Sequence, residues 1–356
     1  MPRRSFLTLA LFALAPAVAL LAACGGEQAA PPQKLVVYMW SEYIDPAIPE
    51  AFTKETGIEV KIDVYEATED MEAKIKQGAD SQYDLLVVSD HAVPVLAEQG
   101  LLQPLDRGRI PNAGNVADLF VDPPYDRGSR YSLPYQWGTV GVIYRKDKLG
   151  EAPLSWSLLF DPAAQKGPFL LIDSMRDMLG VAQKAAGGSV NGRDPALIQA
   201  AGERVLKAKK TPRFVGFEGG VGGKNKVLAG SADFAIVYNG DALRGLEEDE
   251  GLGFAVPSEG SIVWVDAMVI PKRAPNPDAA HRFIEFLLRP EIGAQLSNFN
   301  RYPTPNEAAM PFIAEADRND PAVYPPPEVM AKLEYLEDVG EATRLYDEVW
   351  TAVKAR

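Results

Sequence analysis

The sequence contains a single cysteine and two histidines among its 356 residues. Since the cysteine, Cys24, lies near the N-terminus, the rest of the chain can form no disulfide and has no cysteine nucleophile. His91 and His281 lack the spacing of metal ligands, and neither has the partner nucleophile of a catalytic base. The sequence therefore favours a protein that is not an enzyme and binds no metal or cofactor. Paired acids of the kind that cleave glycosides stay an open alternative.

Positive charge is also scarce, because 36 Lys and Arg stand against 49 Asp and Glu, giving a net charge of −13. An acidic surface of this kind repels nucleic acids, so we expect no nucleic-acid partner. It attracts cations weakly, although the need for solubility alone accounts for many acidic surfaces.

The N-terminal segment predicts export. Basic residues precede an apolar run over residues 6–23, and this order is typical of a cleaved signal peptide, here residues 1–23. The end of the run, together with Cys24, resembles a bacterial lipobox. This resemblance implies that Cys24 is lipidated, that residues 24–33 form a tether, and that the protein is a membrane-anchored lipoprotein on the periplasmic or extracellular face. Residues 3–7 also resemble a twin-arginine signal, so the export route stays open.

Apolar segments that predict strands alternate with amphipathic segments that predict helices. This alternation is typical of an α/β sheet with helices on both faces, in which ligands bind at the carboxyl ends of strands. Buried strands are expected at residues 35–38, 84–88, 169–172, 234–237 and 262–270. Polar segments follow three of them: Trp40-Ser41-Glu42-Tyr43, Ser89-Asp90-His91 and Asp173-Ser174-Met175-Arg176-Asp177.

Extended, proline-containing segments divide the chain into two expected lobes. Residues near 135 and near 260 predict two crossings between the lobes, and Tyr302-Pro303-Thr304-Pro305 predicts a third. We expect the first lobe to comprise residues 34–136 and 261–303, and the second to comprise residues 137–260 and 304–356, ending in a helical segment. The glycine-rich residues 216–223 lack the hydroxyl residue that a phosphate loop needs, and they predict a mobile loop.

Two short segments each place an aromatic ring beside a carboxylate: Trp264-Val265-Asp266 and Tyr238-Asn239-Gly240-Asp241. In a strand, residues 264 and 266 point to the same face. An indole wall next to a carboxylate suits an organic ammonium, which needs a ring face for cation–π contacts and an oxygen for its N–H groups. The alternative interpretation is two core aromatics and two surface acids.

An ordered series of motifs resembles the bacterial extracytoplasmic polyamine-binding proteins, the receptors of spermidine/putrescine ABC transporters. The resemblance covers nearly all of the chain after residue 23. The motifs are Tyr38-Met39-Trp40-Ser41-Glu42-Tyr43, Tyr83-Asp84-Leu85-Leu86-Val87-Val88-Ser89, Pro134-Tyr135-Gln136-Trp137-Gly138, Tyr238-Asn239-Gly240, Trp264-Val265-Asp266, Tyr302-Pro303-Thr304-Pro305-Asn306 and Asp338-Val339-Gly340.

The resemblance implies a two-lobed periplasmic-binding-protein clamp of type II that closes on a polyamine and delivers it to an ABC permease. It implies that Asp241 matches a carboxylate of the putrescine-binding branch, while Asp177 would hold an end amine. Because a clamp must move, we expect a monomer. The ligand-binding residues implied by the resemblance are Trp40, Tyr43, Ser89, Asp177, Tyr238, Asp241, Trp264 and Asp266.

Two departures leave the identity of the ligand open. Ser174 stands where spermidine binders have an aspartate, and neighbouring Asp173 would replace it only if the loop shifts. Leu336 stands where the family often has a glutamine. The alternatives are a receptor of the same fold for another cationic or small organic solute, or a sensor that presents its ligand to another protein.

Overall fold

The computed structural model describes residues 33–149 and 154–355. The expected signal peptide, the lipidation site Cys24 and the tether up to residue 32 lie outside the described residues. Residues from Gln33 onward form one compact unit. None of the helices in the described ranges combines the length and the apolar composition that a bilayer crossing needs.

A mixed sheet runs through the unit in the order β2-β1-β3-β9-β4-β7-β5-β6, with β10 paired to β9 and β8 paired to β4. The pairs β1–β2, β1–β3, β5–β6, β5–β7 and β9–β10 are parallel. The pairs that join the middle of the sheet, β3–β9, β4–β9, β4–β7 and β4–β8, are antiparallel. The strands are β1 Lys34–Trp40, β2 Glu59–Tyr65, β3 Leu85–Ser89, β4 Ser132–Arg145, β5 Phe169–Ile172, β6 Phe214–Glu218, β7 Phe234–Tyr238, β8 Leu252–Ala255, β9 Ser261–Val269 and β10 Leu333–Tyr335.

Helices connect most of the strands, as the alternating sequence pattern predicts. Short 3-10 turns occur between them, among them Pro111–Asn115 and Glu307–Phe312. The α-helices are α1 Ala47–Thr56, α2 Thr68–Lys76, α3 Ala92–Glu98, α4 Lys146–Leu149, α5 Ser157–Phe160, α6 Met175–Lys184, α7 Pro195–Lys209, α8 Gly220–Leu228, α9 Asn239–Glu248, α10 Pro277–Leu287, α11 Pro290–Asn300, α12 Glu315–Arg318, α13 Pro327–Met330 and α14 Thr343–Ala355.

Strand β4 divides the sheet into two sections. Its first half pairs with β9 as far as Thr139, and from Val140 onward it pairs with β7. The first section contains β1, β2, β3, β9 and β10, and the second contains β5, β6, β7 and β8 with the end of β4. Strand β4, which is 14 residues long, includes residue 135 and belongs to both sections. The expected crossing of the lobes there stays a prediction.

Local sequence signals fix several helix ends. Helix α1 ends at Gly57, whose φ of 73° is left-handed and whose N–H donates to the Thr53 carbonyl. Helix α7 begins with Asp194, whose carboxylate accepts the Ala196 N–H, and with Pro195 in the first turn. The glycine-rich residues 216–223 do not form the expected loop, because they complete β6 and begin helix α8.

The helical C-terminal segment packs on the second section. Helix α14 lies against α7, where Gly202 leaves room for the Val349 side chain. Residues 304–313 contact the first section instead: the Ala117 N–H donates to the Pro305 carbonyl, and the Asn306 amide donates to the Leu288 carbonyl. The expected lobe boundary at residue 303 stays a prediction, and these contacts favour a boundary further along the chain.

Candidate functional site

The candidate site lies where the two sections of the sheet meet, around the middle of β9. The carboxyl ends of β1 and β3 bring Trp40 and Ser89 to it from the first section. The carboxyl ends of β5 and β7 lead into α6 and α9, which carry Asp177 and Asp241. The three expected segments after strands therefore fall at strand ends, as the α/β pattern requires.

Asp266 occupies the centre of this region. It lies opposite Ser89 of β3 and opposite Gln136 of β4, so the three side chains share one face of the sheet. The Gln136 amide is paired with Asn300 at 2.9 Å. The polar side chains opposite Asp266 on the neighbouring strands are thus a serine and an amide that is already hydrogen-bonded.

The electrostatic environment of Asp266 is unfavourable to its charge. The side chain is buried, and this burial raises its pKa from 3.8 to about 7. Nearby Tyr43 and Ser89 hydroxyls lower the pKa, and the charge of Asp90 raises it further. No Lys or Arg of the described residues forms an ion pair with Asp266, so a cation brought by a ligand would relieve this cost.

Aromatic rings from both sections lie around Asp266. The Trp264 ring lies 5.8 Å from that of Tyr238 and 5.1 Å from that of Tyr302, both at steep angles. Tyr302 in turn contacts Tyr43, with ring centroids 5.6 Å apart. The indole N–H of Trp264 is buried and has no hydrogen-bond partner among the described residues, and the buried hydroxyl of Tyr43 lies close to the Asp266 carboxylate. The rings therefore form a wall in which the Trp264 indole N–H is available to a ligand.

A glycine permits this arrangement of the wall. Gly138 lies opposite Trp264 in the β4–β9 pair. A Cβ at Gly138 would come within 2.5 Å of the Trp264 ring and would also meet the side-chain oxygen of Asn239. The Pro134–Gly138 motif of the sequence thus supplies the space in which the indole lies.

Asp177 is the second buried acid of the site. It lies in the first turn of α6, and its carboxylate accepts a hydrogen bond of 2.7 Å from the Tyr238 hydroxyl. Burial raises its pKa, while the Tyr238 and Ser174 hydroxyls lower it. Like Asp266, it forms no ion pair with a described Lys or Arg.

Asp241 differs from the other two acids because a cation already contacts it. The Arg244 guanidinium donates to its carboxylate at 2.6 Å, and donates to the Asn300 carbonyl at 3.1 Å. Burial raises the pKa of Asp241, against the effect of Arg244 and the Tyr302 hydroxyl. The expected ligand-binding carboxylate is therefore engaged by the protein itself.

The three acids nevertheless belong to one cluster. All three are buried, and each of two tyrosines lies near two of them. The pKa of the Tyr238 hydroxyl is raised by burial and by the charges of Asp177 and Asp266. The pKa of the Tyr302 hydroxyl is raised by burial and by the charges of Asp241 and Asp266. The structure thus brings together the eight expected residues except Trp40, which lies at the edge.

Trp40 is partly buried and packs on Tyr65, with ring centroids 4.4 Å apart. The pKa of Tyr65 is raised by burial and by Asp266, which places Trp40 one ring away from the central acid. Trp40 and Tyr43 also line a surface groove of about 610 Å³ between α1 and β2. Trp40 is therefore shared between the candidate site and a separate surface.

The structure shows the surroundings of the two residues that depart from the family pattern, Ser174 and Leu336. Asp173 does not take the place of the missing acid at Ser174 in this structure, where its carboxylate pairs with Lys354 at 2.7 Å. Leu336 is buried next to Tyr335. The loop shift that the sequence left open is absent from this structure.

Sequence reasoning missed three residues of the site: Tyr302, Arg244 and Asp90. Tyr302 belongs to a segment interpreted as a chain break and as a motif of the resemblance, but it was not assigned to the site. Arg244 lies three residues after Asp241, and this helical spacing predicts an ion pair. Asp90 is fully buried and accepts the backbone N–H groups of His91 and Val265, which fixes the end of β3 against β9.

Metal binding finds no support in the described ranges, where no group of three or more His, Cys, Asp or Glu side chains is arranged to hold an ion. The acids of the site are instead spaced by aromatic rings. Such an arrangement fits an organic cation better than a compact metal ion.

An α/β fold with a ligand site between two sheet sections defines a solute-binding receptor of the periplasmic type. Residues 47–323 match the family of bacterial extracellular solute-binding proteins, and the chain belongs to this family. The family consists of transport receptors, and its solved members confirm the expected two-lobed class of fold.

Individual relatives cover almost the whole chain. A spermidine/putrescine-binding periplasmic protein of Salmonella typhimurium is 34% identical, over 90% of this chain and 91% of its own length. A putrescine/cadaverine-binding protein of Pseudomonas aeruginosa is 36% identical, over 93% of this chain and 96% of its own. A solved structure from Listeria monocytogenes, named for a spermidine/putrescine ABC transporter, superposes with a TM-score of 0.84 at 34% identity, covering 90% and 99% of the two chains.

Proposed function

We propose that this protein captures a polyamine at the β9 site, on the outer side of the membrane, and delivers it to the permease of an ABC transporter. The observation that carries the proposal is the burial of Asp266 among aromatic rings without a cationic partner in the described residues. The names of the relatives agree with this chemistry.

The energetics of the site suit an alkylamine. Each charge-assisted hydrogen bond contributes roughly 1.5–3 kcal/mol, and each desolvated cation–π contact contributes about 0.5–2 kcal/mol. Ordering and dehydrating a flexible diamine offsets part of this. The net is consistent with an affinity of about micromolar. The methylene groups of the ligand would pack on Trp264 and the neighbouring tyrosines.

Several further properties belong to the proposal. The receptor acts as a monomer and has no catalytic activity. Its signal peptide, residues 1–23, is removed, and Cys24 carries the lipid that anchors it. A Cys24→Ser variant expressed in bacteria should lose metabolic labelling with a fatty acid, while the exported protein keeps its ligand binding. Labelling that persists in the variant would remove the anchor from the proposal.

A thermal-shift panel over amines, amino acids, sugars and metal salts tests the function. Polyamines should raise the melting temperature, since a ligand at 100 times its Kd stabilises the folded state by about 2.7 kcal/mol. Amino acids, sugars and metal salts should not. A shift produced by one of these and by no polyamine would identify a receptor of the same fold for another solute.

A further inference from the structure

Arg244 is a cation that the protein itself places in the candidate site. It lies on α9, one turn after Asp241, and its side chain is largely buried. One guanidinium nitrogen donates to Asp241 at 2.6 Å, and the other donates to the Asn300 carbonyl at 3.1 Å. Two directed hydrogen bonds fix the planar group more firmly than a lone surface ion pair would.

The guanidinium also reaches the other side of the site. Its charged end lies 3.9 Å from the carboxylate of Glu42, which follows β1 of the first section. Arg244 thus extends from helix α9 of the second section to the loop after β1. This position disfavours a further cation at Asp241, because an ammonium placed there would lie next to the guanidinium, a like charge.

The remaining charges of the site can be counted. Asp90 is buried, but its oxygens accept two backbone N–H groups and lie 3.3 Å from the His91 ring. Asp241 is paired with Arg244. Among the described residues, only Asp177 and Asp266 of these four buried acids have neither a cationic side chain in contact nor backbone N–H donors. Glu42, which shares Arg244 with Asp241, is largely exposed to solvent. Of the buried acids, two negative charges are therefore left for the ligand.

We propose that Arg244 matches the site to a dication, a linear diamine, and excludes the third ammonium of a triamine by occupying Asp241. This inference rests on the proposed polyamine function and assigns the charge of the ligand. Asp241 then shapes specificity by holding Arg244 and does not contact the ligand. The resemblance alone gives Asp241 the opposite role, as a direct partner of an amine.

Titration calorimetry with putrescine and spermidine on the wild-type protein gives the first test. The wild type should bind putrescine at least about tenfold more tightly than spermidine, the amount that one charge-assisted hydrogen bond supplies. Equal or tighter binding of spermidine would overturn the inference. Binding of neither amine would instead contradict the proposed function, so the two failures are distinguishable.

An Arg244→Met variant gives the second test, because it removes the charge and keeps an apolar side chain of similar length. The ratio of spermidine to putrescine affinity should rise about tenfold, since Asp241 becomes available to a third ammonium. The double variant Asp241→Asn/Arg244→Met should lose this gain. An unchanged ratio in Arg244→Met would contradict the inference.

Arg344→Met is the matched control. Arg344 also pairs with an acid on its own helix, Glu348, but at the exposed surface of α14. Its substitution removes one positive charge from the protein and should leave the ratio unchanged. If Arg244→Met fails to fold, the ratio of spermidine to putrescine affinity is measured in Arg244→Gln instead. The wild-type ratio tests the inference independently of either variant.

Discussion

At the scale of single residues, the site depends on buried acids that the protein leaves without compensation. Asp266 is the strongest case, since its carboxylate lies between Ser89, Tyr43 and Asp90. A buried charge without a partner costs several kcal/mol, so the group is either protonated or bound to a cation.

Replacing Asp266 by Ala should weaken polyamine binding at least about tenfold, because one charge-assisted hydrogen bond is lost. The fold should persist, since the carboxylate forms no ion pair in the described structure. Calorimetry measures the affinity, and circular dichroism measures the fold. An unchanged Kd in a folded variant would remove Asp266 from the site.

The raised pKa of Asp266 predicts how binding depends on pH. The group is protonated below about pH 7 in the ligand-free folded protein, and an ammonium requires the charged form. Affinity should therefore fall as the pH drops from about 8 to 5, by up to about tenfold per unit below 7. His91 and Asp90 face the same group. Burial lowers the pKa of the His91 ring, but Asp90 raises it, and the net pKa of His91 lies above its usual value.

An Asp266→Asn variant separates these contributions. Its affinity should be low and nearly independent of pH over the same range, if Asp266 is the titrating group. A pH slope as steep as in the wild type would assign the dependence to His91 or to another acid. Calorimetry in buffers of different ionisation enthalpy measures the proton release directly.

At the scale of elements, the paired strands β4 and β9 form one side of the candidate site. Gly138 of β4 lies directly against the Trp264 ring of β9. A Gly138→Ala change would press a methyl group against Trp264. We expect a loss of about 1–3 kcal/mol in the free energy of unfolding, together with weaker ligand binding because the indole must shift. Gly114→Ala is the control, since its Cβ would meet no atom within 4 Å.

Urea denaturation measures both variants. Equal stability of Gly138→Ala and Gly114→Ala would show that the indole moves without cost, and would contradict the assignment of Gly138 as a packing requirement. If Gly138→Ala loses stability but keeps its affinity for polyamine, then the packing of Trp264 on Gly138 does not affect ligand binding.

The sequence predicts the elements better than their connections. Buried apolar runs gave β3, β5, β7 and β9 within a residue or two, because a strand buried on both faces leaves a plain signal. The prediction of a loop at residues 216–223 was wrong, because these residues end β6 and begin α8. The glycines there allow the start of α8 to lie close to Asp241. The length of β4 depends on pairing across the sheet, which no local pattern contains.

The candidate site was predicted in the same uneven way. Trp264 and Asp266 follow from strand periodicity and lie on one face next to the expected neighbours. Tyr302 reaches the site from a distant turn, which only the tertiary fold determines. The pairing of Asp241 with Arg244 was within reach of the helical spacing rule, and it changes the expected role of the acid.

At the scale of the whole molecule, the candidate site is built from both sections of the sheet, so a ligand that contacts both would couple its binding to their arrangement. A ligand favours the arrangement in which it contacts both. Polyamine should therefore change the tryptophan fluorescence of the protein, and Trp264→Phe should lose most of this change.

The chain has five tryptophans, so Trp350→Phe serves as the control. Trp350 lies on the C-terminal helix against Phe217, away from the acids. Its substitution should leave the ligand-induced change intact. No spectral change at saturating polyamine would count against movement of the two sections around Trp264.

The most direct measurement is calorimetry of the wild-type protein with three ligands of one chain length: putrescine, 1-aminobutane and 4-aminobutanoate. Two uncompensated acids among aromatic rings predict that putrescine binds at about micromolar Kd. The other two should bind at least about tenfold more weakly, because each lacks one ammonium. Equal binding of the monoamine or of the aminobutanoate would contradict the claim that Asp177 and Asp266 select a doubly charged alkyl chain.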